Sequence, residues 1–385
     1  MNCNLCDKPL TDKIYQSETA RSLTSLCTLY ESSTQVYFCH GCAHVQSIEI
    51  ANIDNYYDSD YDILVESVEE DQVYEVVNGS TIYRTEHQVK TLIDKVELSS
   101  EMKILDYGCA KSSTMRALIV NRPDIQAHLF DVSDRYIPFW EKFLSNDRWA
   151  TYVVPGTWNG FFDVVTSFFS LEHMAHPQNA LSNILQVLKP KGIFYGIIPN
   201  VFTNTADMIV VDHINHFTDV SLTCLLRNNG VEDIEIDDQS HRGALTFKAR
   251  KEAVRSADDN LPAPSEIQKV FNETLKIAQF WKSIDSKVRD FERSIQYNER
   301  FAIYGAGFYG AFIASCLQQP ERIACVIDQN PFLHGREMNG ASIVSPIELP
   351  DDIKVILVGL NPAHARKMIE DIPEFSRRQL SYFFL

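Results

Sequence analysis

Two CxxC pairs, Cys3/Cys6 and Cys39/Cys42, open this 385-residue chain with 32 residues between them. Each pair offers two thiolates from one tight turn, and two such turns complete a tetrahedral four-sulfur set that suits zinc. Four sulfurs close the coordination sphere, so a metal held here braces the fold and does no chemistry. The plainer alternative is four buried thiols with no metal. On the zinc reading, residues 1–55 form a small module ahead of a chain that otherwise alternates like an enzyme.

The other cysteines, Cys27, Cys109, Cys224, Cys316 and Cys325, show no paired spacing, which suits a reducing compartment. No stretch approaches the roughly 18 uninterrupted apolar residues of a membrane span, and no charged-then-apolar export signal is visible. A cytoplasmic protein with no membrane partner is the expectation. Net charge is −17, from 52 acidic against 35 basic side chains. So negative a surface repels phosphate backbones, and nucleic acid is excluded as an expected partner.

From Lys103 onward strands and helices alternate, as a parallel α/β sheet requires. Strands are expected at Lys103–Tyr107, Gln126–Asp131, Tyr152–Val154, Phe162–Phe168, Gly192–Ile198, Val231–Asp237 and Leu245–Ala249, after a helix over Thr85–Val96. The polar, two-proline stretch Ser256–Pro264 reads as a linker. A long helix over Ser265–Ile295 follows, with one apolar stripe that includes Val270, Trp281, Ile284 and Val288. A second α/β unit begins at Phe301. The expected domains are therefore 1–55, 56–254, a linker and helix over 255–300, and 301–385.

In KILDYGCAKSSTMRAL (Lys103–Leu118), Asp106 ends a strand and precedes Gly108, whose missing side chain lets a ligand approach the backbone. Asp131 ends the next strand, where a carboxylate can accept two hydrogen bonds from a ribose. FFDVVTSFFSLEHMAHP (Phe161–Pro177) and ILQVLKPKGIFYGIIPN (Ile184–Asn200) come next. In that order, Lys103 to Ala249 resembles the class I S-adenosylmethionine-dependent methyltransferases. The resemblance implies a methionine moiety near Asp106, Gly108 and Ala110, a ribose on Asp131, and an adenine beside Val132, Phe168, Phe169 and Ser170. The turn departs from the usual glycine-rich form, with the small residues Ala110 and Ser112 in place of two glycines.

Two further segments carry candidate chemistry. DHINHF (Asp212–Phe217) holds His213 and His216, whose imidazoles titrate near neutral pH and could take a proton. The alternative is that both bond backbone groups and shape a loop. SHRGAL (Ser240–Leu245) holds His241 and Gly243. In the C-terminal unit, Gly305, Gly307 and Gly310 form GxGxxG after a strand, and Asp328 ends the next one. Such a turn favours a pyrophosphate, and taken alone it suggests NAD.

The order of a four-cysteine module, a methyltransferase domain with a histidine-bearing loop, and a domain opening IYGAGFYG resembles the sugar-nucleotide C-methyltransferases of deoxysugar biosynthesis. The likeness spans nearly the whole chain. It implies an α/β class I methyltransferase domain between a zinc module and a second Rossmann-like domain, with S-adenosylmethionine and structural zinc as cofactors. The implied substrate is a nucleotide-linked keto sugar, deprotonated beside its carbonyl and methylated at that carbon by a monomer or homodimer. The family loop Tyr-His-Glu-His-Phe, laid on Phe217, matches only His216 and Phe217. His216 is then the expected base or enolate-side donor, with His213 and Asn215 as polar partners. His241 and Gly243 resemble a family segment lining the substrate site, Tyr57 and Tyr61 could cap it, and Gly305, Gly307 and Phe308 would contact the pyrophosphate. Because the family glutamate and tyrosine are absent, O- or N-methylation of a related sugar stays open. So do an NAD-dependent oxidoreductase on the GxGxxG turn and a catalytically silent scaffold.

Overall fold

The computed structural model describes residues 1–51, 56–57, 61, 63, 65–77, 80–252 and 261–385. Residues 58–60 of the tyrosine segment and 256–260 of the expected linker lie outside the described residues. The chain forms two compact units: one of residues 1–14, 35–207 and 212–275, the other of 15–34, 208–211 and 276–385. The stretch between the two cysteine pairs is thus shared out, 15–34 belonging to the second unit.

Three strands accompany the cysteines: β1 (Asp12–Gln16), β2 (Gln35–Cys39) and β3 (His44–Ser47). β2 and β3 form an antiparallel hairpin whose turn is the second CxxC pair. Each pair is a knuckle of one design. The residue after it, Asp7 (φ 57°) or Ala43 (φ 58°), is left-handed and donates its amide to the carbonyl of Cys3 or Cys39 at 2.9 Å.

Helix α1 (Arg84–Lys95) leads into the central sheet, built from β4 (Lys103–Tyr107), α2 (Ser113–Asn121), β5 (Gln126–Asp131), β6 (Trp149–Thr151), β7 (Phe162–Phe168), α3 (Pro177–Val187) and β8 (Leu188–Pro199). After β8 the chain makes the two-residue strand β9 (Asn215–His216), helix α4 (Asp219–Asn228), β10 (Val231–Asp237) and β11 (Ala244–Lys251). α4 starts in a capping box formed by Thr218 and Ser221, which satisfies the orphan amides of its first turn. The seven-stranded order is β6-β5-β4-β7-β8-β11-β10. The first five strands are parallel, and β11 runs antiparallel to both neighbours.

The central strands read as apolar runs because both faces are covered. Ile104, Leu105, Val164, Val165, Phe194 and Ile197 have no exposed surface. Strand order reverses between β4 and β7, and in open α/β sheets the ligand crevice opens there, at the carboxyl ends. β9 does not join this sheet. It pairs antiparallel with β3, Asn215 opposite Gln46 and His216 opposite Val45, in the order β1-β2-β3-β9. The histidine-bearing loop is therefore an edge of the cysteine module's own sheet.

Helix α5 (Pro264–Ser294) runs from the first unit into the second. The second unit carries β12 (Phe301–Tyr304), α6 (Phe308–Cys316), β13 (Ile323–Ile327), β14 (Ala341–Val344), β15 (Val355–Val358) and β16 (Ser381–Phe384). These strands lie parallel in the order β14-β13-β12-β15-β16. Trp281 of α5, 2% exposed, packs on Tyr309 and Phe312 of α6. Among the described residues, no helix is long and apolar enough to cross a membrane.

Candidate active site

The four cysteine sulfurs converge. Cys3 and Cys42 Sγ are 3.5 Å apart, as are those of Cys6 and Cys39, and all four lie within 4.8 Å of one another. The amides of Leu5 and Gly41 donate to the sulfurs of Cys3 and Cys39 at 3.4 and 3.3 Å. A Cβ on Gly41 would lie 3.2 Å from Cys6 Sγ, tighter than an ordinary contact, and 2.4 Å from Cδ of the exposed Lys8 side chain. The geometry is compatible with a structural zinc site.

At the reversal in the central sheet, the turn after β4 is built on left-handed backbone at Gly108 (φ 71°), Ala110 (φ 44°) and Ser112 (φ 53°). Gly108 is obligatory, because a Cβ there would stand 2.1 Å from Ser170 Oγ. The Asp106 carboxylate accepts from Ser112 Oγ at 2.6 Å and Thr166 Oγ1 at 3.0 Å. Burial pushes its pKa up to about 6. Asp131 accepts the amides of Ala110 at 2.7 Å and Ser133 at 3.2 Å, and burial raises it to about 6 as well. One carboxylate thus ties the turn to the end of β5. Two of its roughly four lone-pair sites remain for hydroxyl donors. Val132 beside it is 56% exposed, an open apolar edge, and Phe168, Phe169 and Ser170 are half-buried opposite the turn. Small turn residues, an acid at the second strand end and an apolar edge suit a nucleoside, and S-adenosylmethionine fits this set.

Beyond β7 the chain turns through Phe169 (φ 50°) into a short 3-10 turn, Leu171–His173. Here the structure gathers groups that motif matching passes over. Glu172 is 1% exposed and its Oε2 has no hydrogen-bond partner; burial pushes it up to about 8. His173 Nδ1 donates to the Asp212 carbonyl at 3.1 Å and meets the Tyr57 hydroxyl at 2.8 Å, which itself donates to that carbonyl at 3.0 Å. Burial lowers His173 to about 4. His213 Nδ1 donates to Asp207 Oδ1 at 2.6 Å; burial opposes its charge, but the Asp207 carboxylate overrides burial and lifts it to about 9. The His173 and His213 rings stand edge to face, 4.6 Å apart, and Tyr61 packs on His173 at 5.6 Å.

His216 is placed differently from the sequence-based expectation. It has no exposed surface, its Nδ1 donates to Asp207 Oδ2 at 3.1 Å, and its Nε2 accepts from Ser47 Oγ at 2.8 Å. Pairing of β9 with β3 turns the ring inward, so neither nitrogen can serve as the expected base. Asn215 is also fully buried. Its Nδ2 donates to the carbonyls of Leu171 and Met174 at 3.1 and 2.7 Å, while its Oδ1 faces Asn4 Nδ2 and His44 Nε2, both at 3.2 Å. It braces the Glu172–His173 turn against the cysteine module and does not face a substrate.

His241 lies against Phe169 at 5.3 Å and Tyr74 at 5.0 Å, its Nδ1 donating to the Arg242 carbonyl. Burial depresses it to about 3, and its Nε2 has no partner. Gly243 (φ 75°) gives its carbonyl to the Asn200 amide at the end of β8. Arg84, at the start of α1, sets its guanidinium 5.1 Å above Phe169. Of the residues sequence reasoning missed, Glu172 and His173 had one signal, the LEH that follows a methyltransferase-like strand. Arg84, Asp207 and Asp212 had none.

In the second unit, two glycines of GxGxxG are spent on packing. A Cβ on Gly305 would lie 2.5 Å from Gly359 O, and one on Gly310 would lie 1.8 Å from Gly305 O. Gly307, ahead of Phe308, faces open space. Asp328 accepts the amides of Ala306 at 2.7 Å and Asn330 at 2.8 Å, the same brace that Asp131 makes in the first unit.

Residues 82–236 match a family model described as a methyltransferase domain. No curated protein matches the chain. Among solved structures, the YcgJ protein of Bacillus subtilis is 15% identical with a TM-score of 0.35, over 44% of this chain and 99% of that one. An S-adenosylmethionine-dependent methyltransferase of Mesorhizobium loti is 13% identical with a TM-score of 0.35, over 43% and 98%. The [4+2]-cyclase SpnF is 17% identical with a TM-score of 0.36, over 48% and 87%. Identities and scores this low say nothing about substrate. By family match and strand order, the middle of this chain is a class I S-adenosylmethionine-dependent methyltransferase domain.

Proposed function

We propose that this chain methylates a small molecule at the cluster of Tyr57, Glu172, His173 and His213, and that the acceptor is a nucleotide-linked keto sugar methylated beside its carbonyl. One observation carries the reading. The loop Phe168–Ser170 at the cofactor crevice runs directly into Glu172 and His173, and a Glu172 carboxylate oxygen and one ring nitrogen each of His173 and His213 lie within 4.8 Å of one another. S-adenosylmethionine, when bound, supplies a methyl group on a positively charged sulfur. The chain's own residues hold and polarise the acceptor. Nδ1 of each imidazole is fixed by Asp207 or by the Asp212 carbonyl, so both rings are oriented before an acceptor arrives. Polar groups fixed in advance cost no reorganisation when charge develops on an acceptor oxygen. The sugar assignment is supported by the motif order from Cys3 to Asp328.

The test is transfer of labelled methyl from S-adenosylmethionine to a panel of nucleotide-sugars bearing keto, hydroxyl or amino groups. Label on carbon in a keto sugar is expected. Label on oxygen or nitrogen would overturn the carbon assignment, and no label on any sugar while calorimetry shows the cofactor bound would overturn the substrate class. The proton that leaves the carbon as the methyl arrives passes to the Glu172 carboxylate, so Glu172→Gln should lower kcat roughly 10²-fold with cofactor affinity nearly unchanged.

A further inference from the structure

The rings of His173 and His213 are held by the nitrogen that faces the protein. His213 Nδ1 donates to the buried Asp207 carboxylate at 2.6 Å, and His173 Nδ1 to the Asp212 carbonyl at 3.1 Å. Among the described residues neither Nε2 has a hydrogen-bond partner, and the two side chains keep 13% (His173) and 10% (His213) of their surface exposed. Glu172 stands with them, 1% exposed, its Oε2 without a donor. One ring nitrogen of each imidazole and one Glu172 oxygen lie within 4.8 Å of one another. A buried polar atom left without a partner is destabilising, so such a group calls for a partner the protein does not supply.

Imidazoles that bind metal donate their other N–H to a carboxylate or a backbone carbonyl, which fixes the tautomer and aims the free nitrogen. Both kinds of support are present, one on each ring. We propose that Glu172, His173 and His213 bind a divalent first-row transition cation, at a site separate from the four cysteines. Two imidazoles and a carboxylate suit zinc, iron, cobalt or manganese better than calcium or magnesium, which prefer all-oxygen sets. Three protein ligands leave a coordination position open, as the four-sulfur set does not. The ligand class that can enter it is a neutral or anionic oxygen, such as a ketone, an enolate or a hydroxyl. The role in catalysis rests on the methyl-acceptor reading above, where a cation here would polarise the acceptor oxygen; the binding itself does not.

The full-length protein is loaded with cobalt(II), desalted, and its metal content and visible spectrum are measured. Two cobalt ions per chain are expected. One brings intense sulfur-to-metal charge transfer from the cysteines, and the other only weak d–d bands. Glu172→Gln and His213→Asn should each weaken the second ion at least ten-fold while keeping the thiolate spectrum. A single ion with only the thiolate spectrum overturns the proposal, and so does a second ion that both variants retain. Should the variants fail to fold by circular dichroism, the wild-type count and spectrum decide. Cobalt is counted without turnover, so failure here and failure of methyl transfer are read separately.

Discussion

His216 shows what burial does to a residue that a motif alignment singles out. A ring with no exposed surface, donating to Asp207 and accepting from Ser47, is structural, whatever its spacing suggests. Removing it leaves a buried carboxylate and a hydroxyl each short of a partner, so His216→Ala should cost about 3 kcal/mol in urea denaturation. A variant as stable as the wild type would count against this role. His128 supplies a pH-dependent case. It is 6% exposed among Trp158, Phe161 and Phe162, and burial lowers it to about 4, below the ordinary 6.5 of histidine. The native state then holds fewer protons than the unfolded chain, so its contribution is present above pH 6.5 and is lost as pH falls toward 4. Denaturation midpoints across that window should drop by the equivalent of ~2 kcal/mol from this residue. A His128→Phe variant should show a shallower fall, and an unchanged slope would sink the assignment.

At the scale of elements, the central strands were legible because a sheet covered on both faces demands apolar runs, and Lys103–Tyr107, Gln126–Asp131 and Phe162–Phe168 form as expected. Tyr152–Val154 did not. Its aromatic and β-branched residues suggest a strand, yet the strand is Trp149–Thr151, Tyr152 is left-handed at φ 62°, and Val153 is 76% exposed. Pairing stops at Thr151 opposite Asp131, and β propensity without a partner strand builds nothing. The turn after β4 offers a sharper test. A Cβ at Gly108 meets Ser170 Oγ on left-handed backbone, so Gly108→Ala should push the turn away from the Phe168–Ser170 loop. Calorimetry should find S-adenosylmethionine binding weakened at least ten-fold, and unchanged affinity would mean the cofactor does not use this turn.

At the scale of the molecule, the first unit couples a cysteine cluster to the proposed reaction site through backbone pairing. β3 carries β9 on its edge, and Asn215 passes that constraint to Leu171 and Met174 on either side of Glu172 and His173. Cys39→Ser should therefore reduce methyl transfer ten-fold or more, although no cysteine of the cluster belongs to the proposed reaction site. Hydrogen exchange should show Leu171–Met174 deprotected in the same variant. Full activity with the cluster broken would show that the module is merely attached.

The sequence by itself determined the class of fold and the two CxxC pairs, because apolar runs at strand spacing and paired thiols state their needs locally. It also marked Asp106, Gly108 and Asp131, whose places at strand ends follow from chain order. Only the tertiary structure decided which histidines keep an exposed edge. His213 and His216 are three residues apart and bond the same carboxylate, yet β-pairing buries one completely and leaves the other's side chain 10% exposed. Exposure of a ring depends on partners that lie far away in sequence, Ser47 and Asp207 here, and no local pattern records them.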